Sequence, residues 1–406
     1  YQATENRQVK EMNGCIFKRT LPSGSVTWGY SIDIGKDENG RRKQIFKSGF
    51  KRKGDAGKAL RLRLNEKDEG ELVKPDPTSL AEFLKEWFKE HAERNCTPKT
   101  VERYHQLAAY VLPHIGSTKL QDLSALTLER VFNHLKDFGG WNRKAKANRP
   151  LSAKTVRHIA GLVHVALETA VRWKLLKINP VDACQLPKVI KHEAKALDAT
   201  QLHAFLEAAR ARGLYEFIML AAATGCRRGE LLALTWADVD FMGRLMRVSK
   251  SLEQTRERLR VKSTKTDKPR EISLPRSAIE VLRAHRGGQV ENRRLFGPDY
   301  RDDLNLVFAT PEGDYLNPDT LTAKVCLLAT KAGLKGASLH TLRHSHGSQL
   351  LSAGVPLPAV SKRLGHSSVY VTATVYSHAL SMDEVAAADA WETSIHDAMG
   401  RDQKNA

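Results

Sequence analysis

Between Ser338 and His378 the chain reads SLHTLRHSHGSQLLSAGVPLPAVSKRLGHSSVYVTATVYSH. His340, Arg343, His344, His346, Arg363 and His366 gather there ahead of one late tyrosine, Tyr376. Fixed cations and imidazoles around a phenol suit the attack of a phenolate on a phosphodiester, with guanidinium forks holding the phosphate oxygens. A phenol gives up its proton only near pH 10, so such an attack needs positive charge close by.

Earlier stretches carry matching chemistry. In Ala223-Thr224-Gly225-Cys226-Arg227-Arg228-Gly229-Glu230 an arginine follows a helix-breaking Thr-Gly. At a helix N-terminus its guanidinium and the backbone amides can hold an anion together. Glu230, three residues on, can brace that guanidinium. Lys265 lies in a Ser-Thr-Lys-Thr turn between two strands, where a lysine can reach a leaving oxygen. His340 and Arg343, at i and i+3, share one helix face. Gly365-His366 comes next, then Tyr376. Taken singly, each of these also reads as an ordinary surface or turn residue, and the specificity lies in the ordered set.

The elements that must position them follow from periodicity. Residues 1 to about 70 predict three strands and a helix. Val26, Trp28, Tyr30, Ile32 and Ile34 alternate with polar neighbours, and Asn39-Gly40 supplies a hairpin turn. A third strand is expected from Arg42 to Lys47, then a helix from about Asp55 whose Leu60 and Leu64 cover the apolar face. Lys and Arg outnumber Asp and Glu in this module by 16 to 9. Lys18, Arg19, Arg41, Arg42 and Lys47 are its candidate DNA contacts, because a basic sheet can enter a major groove as a β-ribbon. A proline-rich linker, Glu71 to Pro77, separates it from a helical stretch.

From Thr78 to about Leu186 the period is helical. Ser79 and Glu82 form a capping-box signature. Four helices are expected, with a basic loop over residues 139–150. Arg103, Lys154 and Arg157 are the candidate duplex contacts on these helices. Pro187 to Leu197 reads as a second, basic linker that could let two domains close around a duplex. The remaining domain should hold helices and three short strands: about Leu245 to Ser249, Leu259 to Lys262 and Arg270 to Leu274. The expected class is α+β, mainly α. Its parts are a three-stranded sheet plus helix (1–70), a four-helix domain (75–187), and a mainly helical domain with a small antiparallel sheet and a tail helix (195–406).

Charge narrows the partners. A formal net charge of +19 and a pI near 9.7 favour a polyanion, nucleic acid before an anionic membrane surface. No apolar run approaches the ~18 residues of a spanning helix. The polar, charged start predicts no secretory leader. Five scattered cysteines predict plain thiols and a reducing compartment.

The motif order resembles the tyrosine recombinases of the phage and transposon integrase type. That family's pattern is Thr-Gly-x-Arg-x-x-Glu, a β-hairpin lysine, His-x-x-Arg, Gly-His and then tyrosine. Arg227 with Glu230, Lys265, His340 with Arg343, Gly365 with His366, and Tyr376 match it in order. The three-part plan is similar to the family's arm-type DNA-binding, core-binding and catalytic domains. The resemblance implies Tyr376 as nucleophile and Arg227 and Arg343 as phosphate clamps, with His366 as a third donor. Lys265 would be the proton donor to the leaving 5′ oxygen, and His340 would assist proton transfer or hold the phosphate. The product would be a 3′-phosphotyrosyl bond, and neither ATP nor metal would be needed. Tyr370 lies too close behind His366 for the family's spacing.

His340 and His344 stand at a zinc-like i, i+4 spacing without the carboxylate such a motif requires. The implied partners are double-stranded DNA with core and arm-type sites, a homotetramer on that DNA, a DNA-bending host protein and an excisionase. The implied setting is the bacterial cytoplasm, at the nucleoid. A type IB topoisomerase-like nicking-closing enzyme shares the chemistry and is the alternative. An architectural DNA-binding protein with a vestigial site is a third reading.

Overall fold

A computed structural model of the chain describes residues 14–376 apart from 23, 37–39, 71, 143–146, 191–195 and 265–268, together with 388, 389, 391–393 and 395. The chain divides into two compact units, Tyr1–Ile190 and Lys191–Ala406.

The first unit opens with an antiparallel sheet in the order β1 (Gly14–Thr20), β2 (Val26–Lys36), β3 (Arg42–Phe50). The alternation in β2 sends Tyr30 and Ile32 to one face, where helix α1 (Lys53–Asp68) covers them with Leu60. Leu64 packs at the edge of this cluster, as its spacing predicts. A linker leads to α2 (Leu80–Trp87). The Ser79–Glu82 capping box is present: Glu82 N–H donates to Ser79 Oγ, and Ser79 N–H donates to Glu82 Oε2 at 2.8 Å. A π-helical turn, Phe88–Ala92, joins α2 to the short α3 (Glu93–Asn95).

Pro98 occupies the first position of α4 (Pro98–Ile115), where its missing N–H has no intrahelical partner to lose. Helix α5 (Ala125–Phe138) follows. The basic stretch expected as a loop instead forms a small hairpin, β4 (Gly140–Asn142) with β5 (Ala147–Arg149). Helix α6 (Ala153–Arg172) lines the bundle with Val156, Ile159, Ala160, Val163 and Leu167. Trp87 is fully buried, and its indole N–H donates to Thr169 Oγ1 at 3.1 Å, satisfying the one polar atom of a large core ring. Glu66 on α1 accepts from Lys177 Nζ at 3.1 Å, so the sheet module and the bundle belong to one compact unit.

The second unit holds the larger core. Helix α7 (Ala199–Arg210) packs on α8 (Tyr215–Thr224), which ends at Gly225 in the left-handed conformation with φ of 64°. There a glycine avoids the Cβ penalty. Helix α9 (Arg228–Leu232) starts directly after Arg227. Among the described residues five short strands follow rather than three: β6 (Val239–Asp240), β7 (Leu245–Val248), β8 (Lys250–Gln254), β9 (Leu259–Ser263) and β10 (Arg270–Ser273). They form two sheets, β10-β7-β6 and β8-β9. The strands on either side of Lys265 therefore pair with different partners, β9 with β8 and β10 with β7. Lys265 itself lies outside the described residues.

Helix α10 (Arg276–Phe296) is fastened to this core through Gln289, which accepts from Trp236 Nε1 at 2.7 Å and donates to Val307 O at 3.0 Å. Helices α11 (Pro318–Lys331), α12 (Leu339–Ser352), α13 (Leu357–Leu364) and α14 (Val369–Val375) complete the unit. Most of the tail expected as a helix over Asp383 to Met399 lies outside the described residues. Positions 388, 389, 391–393 and 395 are helical and solvent-facing. Among the described residues no helix is long and apolar enough to cross a membrane.

Candidate active site

Four segments of the second unit converge: the α8–α9 junction, the start of β10, the face of α12, and the α13–α14 turn. Arg227 caps α9. Its backbone N–H donates to Glu230 Oε2 at 2.8 Å, its Nη1 to Glu230 Oε1 at 2.9 Å, and its Nη2 to Gly365 O at 2.9 Å. This is the brace expected from the three-residue spacing, with the α13–α14 turn added to it. Arg227 keeps 32% of its side chain open to solvent, enough to meet a ligand.

Arg343, one turn into α12 beyond His340, is 4% exposed. Its Nη1 donates to Gly225 O and its Nη2 to Leu364 O, both at 2.7 Å. Burial, then the neighbouring Arg227 cation, lowers its guanidinium to about 10. Glu230 is buried as well. Burial alone would raise its carboxyl, but hydrogen bonding and charge from Arg270, then the Arg227 N–H, outweigh it and hold the group below the usual carboxylate range.

Tyr376 follows α14 and is 2% exposed. Its ring stacks on His344 with centroids 4.9 Å apart and lies near-parallel to His366 at 6.3 Å. A Cβ at Gly347 would fall 2.4 Å from the ring, so glycine there admits the phenol against the α12 backbone. The hydroxyl donates to Arg343 O at 3.4 Å. Burial raises the phenol above its usual range, and Arg343 opposes that shift. Tyr370, by contrast, is 78% exposed.

His366 Nδ1 lies 2.7 Å from Thr372 Oγ1. Burial, then Arg343 and Arg227, depresses its imidazole to about 4, so the ring is neutral at pH 7. His340 faces solvent, yet partial desolvation followed by Arg343 and Arg227 lowers it too. Arg227, Glu230, His340, Arg343, His366 and Tyr376 thus meet through contact or charge.

Three further arginines in this region have partners that no spacing in the sequence assigns. Arg270, at the start of β10, is 8% exposed and joins Glu230 from the inner side, Nη2 to Oε2 at 2.7 Å. Nothing in a single Lys-Pro-Arg-Glu stretch marks that role. Arg363 turns inward: it donates to His346 Nε2 at 2.9 Å and to Ala223 O at 3.0 Å. Arg228 turns away toward α11, donating to Pro318 O at 2.8 Å.

His346 is the acceptor of that Arg363 bond, which requires an unprotonated Nε2. Burial, then Arg363, holds it at about 4 against an ordinary 6.5. The unfolded chain therefore binds a proton that the folded chain refuses until about pH 4, and stability falls as pH drops from about 6.5 toward 4. At ~1.36 kcal/mol per pKa unit this buried group removes about 3 kcal/mol at the acid end. Urea unfolding midpoints should fall over that window. His346→Gln keeps a donor and an acceptor without titrating, and should flatten the slope.

The candidate DNA contacts of the first unit are spread over its surface. Lys18, Arg19, Arg41, Arg42, Lys47, Arg103, Lys154 and Arg157 are all exposed. By register Lys18 pairs with Trp28 and Lys47 with Tyr30, so both lie at the rim of the face that α1 covers. Arg19 pairs with Thr27 on the open face, which also carries the Phe17–Phe46 edge contact. Arg42 is paired with Asp33, and Arg103 Nη1 donates to Gln106 at 3.1 Å.

Comparison with known proteins agrees with this layout. Residues 195–382 match the phage integrase family, 17–67 an arm DNA-binding domain, and 79–136 the N-terminal SAM-like domain of phage integrases. An integrase of Streptomyces ambofaciens is 30% identical over 369 residues, covering 86% of this chain and 88% of the relative. A XerC-like tyrosine recombinase of Caldanaerobacter subterraneus subsp. tengcongensis is 25% identical over 382 residues, covering 89% and 94%.

Among solved structures, the Tn1549 transposon integrase in complex with a circular intermediate DNA superposes with a TM-score of 0.64. It is 20% identical and covers 77% of this chain and 99% of that one. A lambda integrase dimer bound to a core site superposes at 0.56, with 16% identity, 90% of this chain and 96% of that one. The likeness in fold runs through both units, and the likeness in sequence to the Streptomyces integrase runs along most of both chains; the chain belongs to the phage integrase family of tyrosine recombinases, site-specific enzymes that cut and rejoin DNA through a covalent phosphotyrosine.

Proposed function

We propose that this chain is the integrase of a mobile element, with Tyr376 as its nucleophile. The observation that carries the assignment is a surplus of fixed cations beside a phenol. Arg227, Arg270 and Arg343 converge, yet among the described residues one carboxylate, Glu230, serves Arg227 and Arg270, and Arg343 bonds only carbonyl oxygens. Such a site favours a doubly esterified phosphate, and favours it more as charge builds on the equatorial oxygens.

In the proposed step the Tyr376 oxygen bonds to phosphorus and the bond to the 5′ oxygen breaks. The phenol proton passes to His340 or solvent, and Lys265 protonates the departing 5′ oxygen to a hydroxyl. Arg227 and Arg343 hold the non-bridging oxygens, and neutral His366 donates a third hydrogen bond. A 5′ hydroxyl from a second strand reverses the step, so no ATP is consumed. The phenol must leave its slot on Gly347 to reach a phosphate. Helix α14 suits that movement: within it only Thr372 is buried, while Val369, Tyr370 and Val375 face solvent.

The three parts expected from the sequence, 1–70, 75–187 and 195–406, then divide the labour. The sheet module takes arm-type sites, the bundle grips core sites through Arg103, Lys154 and Arg157, and the third part cuts. Exchange between two duplexes calls for a homotetramer, and a DNA-bending host protein and an excisionase would set direction. The setting is a bacterial cytoplasm.

A nicked suicide duplex spanning the ends of the encoding element tests this. The wild-type chain should leave a detergent-stable protein–DNA adduct and should recombine paired sites. Relaxation of a supercoiled plasmid lacking any such site would instead mark a nicking-closing enzyme.

A further inference from the structure

We propose that Arg270 is a positioning residue for Arg227, acting from beneath the site through Glu230 and the Gly365 carbonyl without touching the DNA phosphate. The proposal rests on the reading of Arg227 as a phosphate clamp. Arg270 uses every nitrogen of its guanidinium inside the protein. Its Nη2 donates to Glu230 Oε2 at 2.7 Å and to Cys226 Sγ at 3.7 Å, its Nη1 to Glu230 Oε1 at 3.2 Å, and its Nε to Arg363 O at 3.0 Å.

On its other side lies Gly365, with φ of 65°; a Cβ there would stand 2.8 Å from Arg270 Nη1. Glu230 and Gly365 O are also the two partners that fix the Arg227 guanidinium. One buried cation therefore sets both supports of the outer one, and the same turn presents His366.

The electrostatics give the arrangement a purpose. An arginine that grips a phosphate cannot also neutralise a buried carboxylate in full. With Arg270 in place, Glu230 stays ionised and satisfied while the Arg227 fork turns outward. Without it, Glu230 is left with Arg227 as its sole cationic bond partner among the described residues, and draws that guanidinium off the phosphate. A lysine at 270 offers one ammonium and cannot span both Glu230 oxygens and Arg363 O.

The test is a double-mutant cycle on the rate of adduct formation with a nicked suicide substrate. Arg270→Met should slow the adduct about 30- to 100-fold, because it removes one of the groups that aligns a transition-state donor. DNA affinity should change by less than about threefold, since phosphate contacts along the whole duplex supply it. Arg270→Lys should recover part of the rate. The decisive arm is Arg270→Met combined with Arg227→Ala. If Arg270 works through Arg227, the double variant is no slower than Arg227→Ala alone, within about threefold. Losses that multiply overturn the proposal, as does an Arg270→Met enzyme that cleaves at the wild-type rate. Should Arg270→Met fail to fold by thermal melting, Arg270→Lys enters the same cycle under the same criterion. A wild-type chain that forms no adduct refutes the Arg227 reading and this proposal with it; an adduct in wild type with multiplicative losses refutes this proposal alone.

Discussion

Tyr376→Phe abolishes the covalent adduct. On a nicked suicide substrate the expected loss is at least about 10⁴-fold, the scale on which removing a nucleophile acts. Folding and DNA binding should persist, because a phenylalanine ring fits the same slot between His344, Gly347 and His366. The hydroxyl's bond to Arg343 O is 3.4 Å, at the long end of the range, so its removal costs at most about 1 kcal/mol. Tyr370→Phe is the matched control and should cleave normally, since its ring is exposed. An adduct that survives in Tyr376→Phe and vanishes in Tyr370→Phe would transfer the nucleophile to Tyr370. Mass mapping of the DNA-linked peptide distinguishes the two directly.

Much of this site could be read from spacing, and the reasons are local. Arg227 and Glu230 stand three apart at a helix start, so their contact needs only a turn of backbone, and Thr224-Gly225 announces the turn. His340 and Arg343 share a face for the same reason. The β2 alternation and the Ser79–Glu82 box also gave their elements directly, because each depends on a period or an offset of a few residues.

What stayed hidden depends on distant pairing. Arg270 meets Glu230 across 40 positions and Arg363 O across 93, and no window of the chain shows that. The strands β6 and β8 are short and lack strong alternation, so their existence is decided by their partners β7 and β9. The hairpin at residues 139–150 hides in a run of cations that reads as solvated loop. Burial of the Tyr376 ring is equally non-local, since it needs the gap that Gly347 leaves on another helix.

The second large loss falls on Arg343. This guanidinium is buried, is held by two carbonyl oxygens rather than a carboxylate, and titrates near 10. Burial first, and then Arg227, makes its charged form costly in the free protein. A phosphate arriving beside it relieves that cost, and relieves it most in the transition state, where the equatorial oxygens carry extra charge. Arg343→Lys keeps a cation but loses the fork that spans Gly225 O, Leu364 O and an incoming oxygen together. Adduct formation should fall about 10²- to 10³-fold, the cost of one misplaced transition-state donor. Affinity for the duplex should fall by less than about tenfold, because many phosphate contacts contribute to it. A substrate with an uncharged methylphosphonate at the scissile position separates charge from scaffolding. If Arg343 serves the developing charge, the gap between wild type and Arg343→Lys narrows on that substrate, because there is less charge to hold. If Arg343 serves only to tie Gly225 to Leu364, the gap is unchanged, because those two carbonyls lose the same partner whatever the DNA carries.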